Sequence, residues 1–288
     1  MYRYCYLMAH SKKRRIAKEL IRILNLPSIQ LKLYPLSVET KFSDINLERI
    51  DSLRALFPLN LTKNVVWKRF GSRFDGGYLL IDDVAESDVC ISLGVGDNFS
   101  FDLDIAMHCH EVLMFDHTVE APEISARNVT FNKIGISTNP ILGFTTLEQI
   151  LDSIPVGRDL ILKMDIEGAE WDVFETISEE SLIRFRQIIV EFHGLFQIGN
   201  SDQFQKMLNG LTKISRTHHL MNFHTNNWAD LHMIEGVPLP DVIEATYLRR
   251  DPADPIGYRI IPLNRTSNDP NNEDLPDYDP NFLSFVEI

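Results

Sequence analysis

The segment LILKMDIEGAEW, residues 160–171, joins a strand-like apolar run to a cluster of carboxylates. Five of its first seven side chains are apolar, which is typical of a strand that is buried in a core. Asp165, Glu167 and Glu170 then follow within six residues. Ligands bind outside the carboxyl ends of the strands in open parallel sheets, so this segment predicts a buried strand that ends at a site of chemistry.

Strand-like and helix-like segments alternate from about Asp88 onward. This alternation predicts an α/β fold with a mostly parallel sheet and helices on both faces. Two later strand-like runs, 219–224 and 242–250, have no convincing helix between them and predict an antiparallel pair at one edge of the sheet. The predicted strands before them are 88–94, 111–116, 129–137, 158–165 and 187–192, and the predicted helices are 100–109, 145–154, 170–178 and 201–214.

The segments on either side of this region have a different composition. Residues 1–60 repeat apolar side chains at helical spacing and predict a helical N-terminal extension. Residues 61–250 are the predicted α/β domain, which opens with a turn signal, Asp-Gly-Gly, at 75–77. Residues 251–288 are rich in Asn, Asp and Pro, so they predict a partly irregular tail that is a surface loop or disordered.

The charge of the chain restricts its partners. The formal net charge is −13, whereas a general nucleic-acid binder carries a basic surface for phosphate contacts, so no nucleic-acid partner is expected. One basic run, 11–24, is interpreted as a solvated helix face or as a surface for a membrane or an anionic partner. Three cysteines without paired spacing predict a reducing, cytoplasmic location, and no apolar run of about 18 residues predicts a membrane span.

The loop after the first strand of the alternating region is rich in glycine. Gly94 and Gly96 permit a tight turn and a close approach of the backbone to a ligand, and Asp97 and Asn98 follow them. A dinucleotide fingerprint would place a third glycine where this chain has Phe99, which weakens an NAD interpretation. The alternative is a purely structural turn between strand and helix.

The next strand ends in a second candidate for cofactor binding. Asp116 lies 22 residues after Gly94, at the place where an acidic side chain accepts hydrogen bonds from ribose hydroxyls, and His117 follows it. The alternative is a structural, helix-capping Asp116. Together, the loop and this acid predict a nucleoside cofactor without a diphosphate, for which S-adenosylmethionine is the candidate.

Five segments of this sequence resemble the FkbM-like family of S-adenosylmethionine-dependent methyltransferases. They are RFDGGYLL at 73–80, SLGVGDNFSFD at 92–102, MFDHT at 114–118, LKMDIEGAEW at 162–171 and VEFHG at 190–194. The resemblance covers roughly residues 65–250. It implies a Rossmann-like class I methyltransferase fold with seven strands, the last inserted antiparallel, and implies that Gly94, Gly96 and Asp116 hold the cofactor. The sequence departs from many class I enzymes at Ser92, where they carry an acid.

Two neighbouring predicted strands end in side chains that could perform the chemistry. Asp165 ends one strand, and Glu191 and His193 end the next, so they are expected to converge within about 6 Å at one edge of the sheet. Either His193 or a carboxylate would be the general base for methyl transfer to a hydroxyl. Alternatively Asp165, Glu191 and His193 would bind Mg²⁺, Mn²⁺ or Zn²⁺. Lys163 lies on the same strand face as Asp165 and would neutralise the cluster.

The sequence therefore predicts an S-adenosylmethionine-dependent methyltransferase. O-methylation of a small polar or glycosyl acceptor is the favoured reaction, with or without a divalent metal. Two alternatives stay open at this point: a non-catalytic nucleoside-binding or scaffold protein on the same fold, and a nucleotide-dependent oxidoreductase. The identity of the acceptor does not follow from fold and cofactor.

Overall fold

A computed structural model of the chain describes residues 46–57, 65–251 and 269–278. The helices are α1 (Asn46–Ala55), α2 (Ser100–Ala106), α3 (Leu147–Asp152), α4 (Glu170–Thr176), α5 (Glu179–Leu182) and α6 (Ser201–Thr217), with a 3-10 helix at Leu195–Gly199. The strands are β1 (Trp67–Gly71), β2 (Gly77–Ile81), β3 (Val89–Leu93), β4 (Glu111–Phe115), β5 (Val129–Asn132), β6 (Gly135–Ile136), β7 (Phe144–Thr145), β8 (Leu160–Met164), β9 (Phe185–His193), β10 (His218–Thr225), β11 (Leu231–Ile234), β12 (Val237–Pro240) and β13 (Val242–Arg249).

Seven of these strands form one mostly parallel sheet in the order β10-β13-β9-β8-β3-β4-β5. The pairs β3–β4, β3–β8, β4–β5 and β8–β9 are parallel, and β13 is antiparallel to both β9 and β10. The predicted class I methyltransferase fold, including its antiparallel edge pair, is confirmed. The chain runs from β3 outward to β5 and then returns to β8 beside β3. The strand order therefore reverses between β3 and β8, the position at which such sheets bind ligands.

The central strands are hydrophobic because helices or a hairpin cover both faces of the sheet. All five residues of β3 and all five of β8 are buried, as the apolar run at 160–164 predicts. Helix α3 begins with a capping box, in which the Thr146 hydroxyl accepts from the Gln149 amide. Helix α6 begins at Ser201, where the predicted helix 201–214 begins, and the side chain of its N-cap, Asn200, accepts from the amides of Asp202 and Gln203.

The β1–β2 hairpin packs on the half of the sheet that contains β9 and β13. The buried Gln187 amide group pairs with both backbone groups of Ile81, at 2.9 and 3.0 Å. The Thr246 hydroxyl donates to the Leu79 carbonyl at 2.7 Å. These contacts satisfy edge groups of β2 that would otherwise be buried without partners, so they fix the hairpin over the sheet.

Within the predicted tail, residues 269–278 are irregular and are packed against the domain, whereas residues 252–268 and 279–288 lie outside the described residues. The Asn227 side chain donates to the Asn272 carbonyl at 2.9 Å and accepts from the Asn272 amide at 2.7 Å. The Tyr278 hydroxyl donates to the Ala229 carbonyl at 2.8 Å. In this segment, asparagine side chains form hydrogen bonds with backbone groups that a helix or a strand would otherwise pair with each other. A composition rich in Asn and Asp is therefore compatible with order here.

The predicted division into 1–60, 61–250 and 251–288 stays a prediction. Helix α1 lies in the first part, but the basic run at 11–24 falls outside the described residues. None of the helices in the described ranges is long and apolar enough to span a bilayer.

Candidate active site

The loop between β3 and α2 is held against the end of β8 at the point where the strand order reverses. Gly94 has a φ of +76°, and a Cβ atom there would lie 1.7 Å from the Asp165 carbonyl oxygen, so only glycine fits. The Lys163 ammonium donates to the Gly94 carbonyl. The glycine is thus required by the close approach of the loop to the Asp165 backbone, and Lys163 fixes the position of the loop.

The carboxylate of Asp116 accepts hydrogen bonds from other groups of the protein itself. Its Oδ2 accepts from the amides of Val95 and Gly96 at 2.8 and 3.0 Å, and its Oδ1 accepts from the Thr118 amide and hydroxyl at 2.7 and 2.6 Å. Burial raises the pKa of this carboxyl, but these hydrogen bonds outweigh burial and hold the pKa at about 2. Four donors fill the acceptor positions of the carboxylate, so Asp116 holds the glycine loop in this state.

The other predicted cofactor residues lie around the same loop in different environments. Gly96 has a φ of +60° with open space at its Cβ position, and Asp97 is exposed. The Asn98 amide donates to the Asp75 carbonyl at 2.9 Å, which ties the loop to the β1–β2 turn. His117 is exposed, and its ring lies 4.8 Å from the ring of Phe144.

A polar cavity of about 130 Å³ lies between the glycine loop, the β1–β2 turn and the end of β8. Three of the predicted residues, Asn98, Lys163 and Asp165, line it. The remaining lining residues are Asp75, Gly76, Tyr78, Val95, Phe101 and Asp102. Sequence reasoning missed Tyr78 and Asp102, because one belongs to a separate hairpin and the other to the helix behind the loop.

Tyr78 joins two of the predicted catalytic carboxyl groups. Its hydroxyl lies 3.2 Å from Asp165 Oδ2 and 3.3 Å from Glu191 Oε2. Glu191 is buried, and its Oε1 accepts from the Asn226 amide at 2.7 Å. Burial, followed by the charges of Asp165 and the directly opposite Glu244, raises the pKa of Glu191 well above its usual value. The Tyr78 hydroxyl can thus donate to either carboxyl group, and the buried environment favours the neutral form of Glu191.

His193 is oriented by Glu170, the first residue of the predicted helix 170–178. His193 Nδ1 lies 3.1 Å from Glu170 Oε1, and the Glu170 carboxylate also accepts from the amides of Ile166 and Gly168 at 2.8 and 3.0 Å. This carboxylate is fully buried, so one side chain both holds the turn after β8 and fixes the imidazole. The turn contains Glu167 at a φ of +58°, a conformation that is rare outside glycine.

The other imidazole nitrogen faces the carboxyl edge of the sheet. His193 Nε2 lies 3.8 Å from Asp165 Oδ1 and 3.7 Å from Glu167 Oε2. Burial lowers the pKa of His193, but the hydrogen bond and charge of Glu170, together with the charges of Glu191 and Asp165, raise it to about 10. The imidazole is therefore protonated near pH 7 in this state.

The predicted metal set does not assemble as expected. The structure groups ligand atoms of Asp165, Glu170 and His193 within 4.8 Å of one another, and Glu191 is not a member of this group. Both oxygens of Glu170 and the Nδ1 of His193 are already used in hydrogen bonds. Metal ligands must be deprotonated and open, and only Asp165 and the Nε2 of His193 stay open in this group. The arrangement therefore does not support a resident divalent cation.

Comparisons with known proteins identify the central part of the chain. Residues 84–220 match the family described as "Methyltransferase FkbM domain", which confirms the resemblance in the sequence. No curated protein matches the chain significantly.

Several solved structures are similar to this chain at low sequence identity. An rRNA methylase from Streptococcus thermophilus has a TM-score of 0.34 and 10% identity over 74% of this chain and 100% of its own. A Streptococcus mutans protein in complex with SAH has a TM-score of 0.30 and 10% identity over 73% and 100% of the two chains. The N-methyltransferase NodS from Bradyrhizobium japonicum has a TM-score of 0.29 and 9% identity over 72% and 97%. These similarities are distant, and the fold assignment rests on the strand order.

Proposed function

Residues 84–220 of this chain match the FkbM methyltransferase domain. From this premise, we propose that the chain transfers the methyl group of S-adenosylmethionine to a hydroxyl. A small polar or glycosyl acceptor is the proposed substrate class. One observation carries the proposal: the Nε2 of His193, fixed through Nδ1 by Glu170, faces Asp165 beside the glycine loop. A base, a carboxylate and a cofactor loop thus meet at the carboxyl edge of one sheet.

The residues at this edge fit the proposed cofactor. Asn98, Lys163 and Asp165 line the polar cavity beside the glycine loop, and Gly96 leaves open space where a Cβ atom would lie. Asp116, at the end of β4, accepts from the Val95 and Gly96 amides, so it would support the cofactor site by holding the loop and not, as the sequence predicts, by accepting from the ribose hydroxyls. S-adenosylmethionine supplies an electrophilic methyl group on a positively charged sulfur. The residues of this chain would bind it, orient the acceptor and remove one proton.

His193 is the proposed general base for the acceptor hydroxyl. The acceptor hydroxyl would lose its proton to Nε2 as its oxygen attacks the methyl group, so that no unstable protonated ether forms. Glu170 would hold the imidazole in place for this proton transfer. A base must first be neutral, whereas the pKa of about 10 keeps His193 protonated in the resting site. A positive charge close by lowers the pKa of an imidazole, so a site that holds the sulfonium favours the neutral form.

The neighbouring residues have positioning roles in this proposal. Asp165 accepts from Tyr78 and lies beside Nε2, so it is suited to accept a hydrogen bond from the acceptor. Glu191 is buried and contacts both Tyr78 and Asn226, so its role in this proposal is to hold Tyr78. Lys163 binds the Gly94 carbonyl and pairs with Asp165 at 3.5 Å, so it fixes the loop relative to β8.

Two measurements test the proposal against its alternatives. Calorimetry should show binding of S-adenosylhomocysteine and none of NAD, because the loop lacks the glycine that a diphosphate needs. Incubation with methyl-labelled S-adenosylmethionine and a panel of hydroxylated small molecules and glycans should transfer label with the parental chain but not with His193→Gln. Binding of NAD instead would support the oxidoreductase. Binding of S-adenosylhomocysteine without transfer to any acceptor of the panel would favour the non-catalytic alternative.

A further inference from the structure

Trp228 is an exposed aromatic residue in the loop that follows β10. This loop, residues 226–230, lies at the edge of the sheet where β9 also ends, because β13 is antiparallel to both β9 and β10. Trp228 is 56% exposed, and it is the only aromatic residue among the large exposed apolar residues of the described ranges. Single exposed apolar residues are common on protein surfaces, so the meaning of this one depends on its position.

Both ends of the loop are tied to residues that flank His193. The Asn226 amide donates at 3.1 Å to the first residue of β13, which is paired with His193 across the sheet. At the other end, the Asp230 carbonyl accepts from the Asp241 amide at 2.8 Å, and the Asp241 carboxylate accepts from the Gly194 amide at 3.0 Å. The loop is therefore held at the edge that contains the proposed base, and two strand spacings, about 10 Å, separate β10 from β9.

The residues on either side of Trp228 are also held, in both cases by the C-terminal segment. The Asn227 side chain forms hydrogen bonds with the backbone of Asn272, and the Ala229 carbonyl accepts from the Tyr278 hydroxyl at 2.8 Å. Within the loop, only the indole is exposed. A ring on a backbone that is already fixed loses little conformational entropy when a ligand stacks on it, so the loop is suited to present the indole to a ligand.

The polar groups at this edge indicate the chemistry of that ligand. Asp165 and Glu167 present carboxylate oxygens 3.8 and 3.7 Å from the Nε2 of His193, whose charge is already paired with Glu170. Carboxylates accept hydrogen bonds from hydroxyls and repel anions. The flat apolar face of an indole packs on the C–H face of a sugar ring. A neutral sugar meets both conditions, whereas an open-chain polyol lacks the flat face and a uronic acid carries an unfavourable charge.

We infer that Trp228 stacks on a glycosyl ring of the methyl acceptor, an inference that rests on the proposed function. The acceptor hydroxyl would lie at the Nε2 of His193, and the indole would hold the same ring or the next one of an oligosaccharide. Trp228 would thus determine the affinity for the acceptor and take no part in the proton transfer. It lies outside the matched residues 84–220, so the family does not assign this role.

The test measures the binding of neutral sugars to the full chain with S-adenosylhomocysteine present. The probes are the methyl glycosides of glucose, galactose, mannose and N-acetylglucosamine, and the disaccharides maltose, cellobiose and lactose. Sorbitol and methyl glucuronide are the open-chain and anionic comparisons. Calorimetry should detect at least one neutral sugar and neither comparison. Trp228→Ala should weaken the binding of that sugar about tenfold, whereas Trp228→Phe, which keeps an aromatic face, should weaken it less than about threefold.

A control variant and a kinetic measurement separate ligand binding from a structural role. Met107→Ala removes another exposed apolar side chain, at the end of α2 that lies away from this edge, and should leave sugar affinity unchanged. With the sugar that binds as methyl acceptor, Trp228→Ala should raise KM about tenfold and leave kcat within about twofold, because the stacking is equal in ground state and transition state. Its unfolding temperature should change little, since the side chain is largely exposed.

The outcomes that contradict the inference differ from those that contradict the proposed function. If Trp228→Ala binds the sugar as tightly as the parental chain, Trp228 does not hold the acceptor. A lower unfolding temperature together with weaker binding of S-adenosylhomocysteine would make Trp228 structural. If the parental chain binds S-adenosylhomocysteine but none of the neutral sugars, the glycosyl assignment is wrong, whichever other hydroxyl is methylated. If the parental chain does not bind S-adenosylhomocysteine, the proposed function is wrong, and the sugar titration without cofactor tests Trp228 by itself.

Discussion

The carboxylate of Glu170 and the imidazole of His193 are joined at 3.1 Å through Nδ1, although 23 residues separate them in the chain. The link crosses from the start of α4 to the end of β9, and it leaves Nε2 directed at the edge of the sheet. A carboxylate that binds one imidazole nitrogen selects the orientation of the ring and makes the other nitrogen more basic.

Replacement of Glu170 should lower the pKa of His193. Glu170→Gln removes the charge and the charged hydrogen bond that raise this pKa to about 10, so the value measured by NMR titration should move toward 6.5. The turn after β8 should also lose about 1–3 kcal/mol, because the Ile166 and Gly168 amides lose a charged acceptor. The control is Glu167→Gln, whose carboxylate is 87% exposed and should shift the pKa much less. An unchanged pKa in Glu170→Gln would contradict the link.

The raised pKa of His193 should make the free energy of unfolding depend on pH in the alkaline range. His193 has a pKa of about 10 in the folded state and about 6.5 when unfolded. Its contribution to the free energy of unfolding is therefore fully present below pH 6.5 and is lost as the pH rises through 10. Denaturant unfolding of the parental chain and of His193→Gln should give a difference that shrinks between pH 6.5 and 10. A difference that is constant over this range would show that the pKa of His193 is not raised in the folded state.

Loss of charge at Asp165 should stop methyl transfer without emptying the cofactor site. Asp165→Asn keeps the shape of the side chain but changes the acceptor of the Tyr78 hydroxyl and the group beside Nε2. Affinity for S-adenosylhomocysteine should stay within about a factor of ten, because the acid lies on the acceptor side. Asp172→Asn, whose carboxylate pairs with Lys206 on α4 and α6, should retain parental activity. Transfer at the parental rate by Asp165→Asn would refute this role.

Replacement of Asp116 should weaken both the glycine loop and the cofactor site. Asp116→Ala leaves the Val95 and Gly96 amides without their acceptor, so binding of S-adenosylhomocysteine should weaken by about 1–3 kcal/mol. The pKa of about 2 lies below the ordinary value of 3.8, so the stabilisation by Asp116 is present above pH 3.8 and is lost as the pH falls through 2. The stability difference between the variant and the parental chain should therefore shrink in that range. Unchanged affinity would exclude Asp116 from the site.

The two loop glycines should respond very differently to alanine. Gly94→Ala would place a Cβ atom 1.7 Å from the Asp165 carbonyl oxygen, so the chain should lose several kcal/mol of stability or fail to fold. Gly96→Ala has open space and meets only the penalty of a φ of +60°, about 1–2 kcal/mol. Thermal unfolding of both variants measures the contrast. Equal destabilisation would mean that the close approach of the loop to β8 is not needed.

The sheet was predictable because its strands carry their own signals. The fully buried segment 160–164 is apolar except for Lys163, and segments 219–224 and 242–250 lack a helix between them. Each of these features is local in sequence, and parallel or antiparallel pairing follows from the spacing of the strands. The acidic ends of β8 and β9 were also predictable, since parallel strands present their carboxyl ends at one edge.

The contacts that organise the site were not predictable from local patterns. Tyr78 reaches Asp165 across 87 positions of the chain, and the packing of a hairpin on a sheet leaves no periodic signal. Asp102 looks like an ordinary acid in the first turn of a helix, and its position in the wall of the polar cavity leaves no local sequence pattern. Glu170 also looks like an ordinary first-turn acid, although its spacing from Glu167 and Gly168 could have suggested a carboxylate that bonds back to the preceding turn.

The insertion of β13 between β9 and β10 restricts the order in which the sheet can be completed. Among the described strands, β10 joins the sheet only through β13, although β10 is made first. During synthesis, the ribosome must therefore deliver the chain as far as Arg249 before β10 finds its partner. Until then β9 presents an open, apolar edge, which is the kind of surface through which nascent chains aggregate. Completion of the sheet, and with it the environment of Glu191 opposite Glu244, is thus a late event in biogenesis.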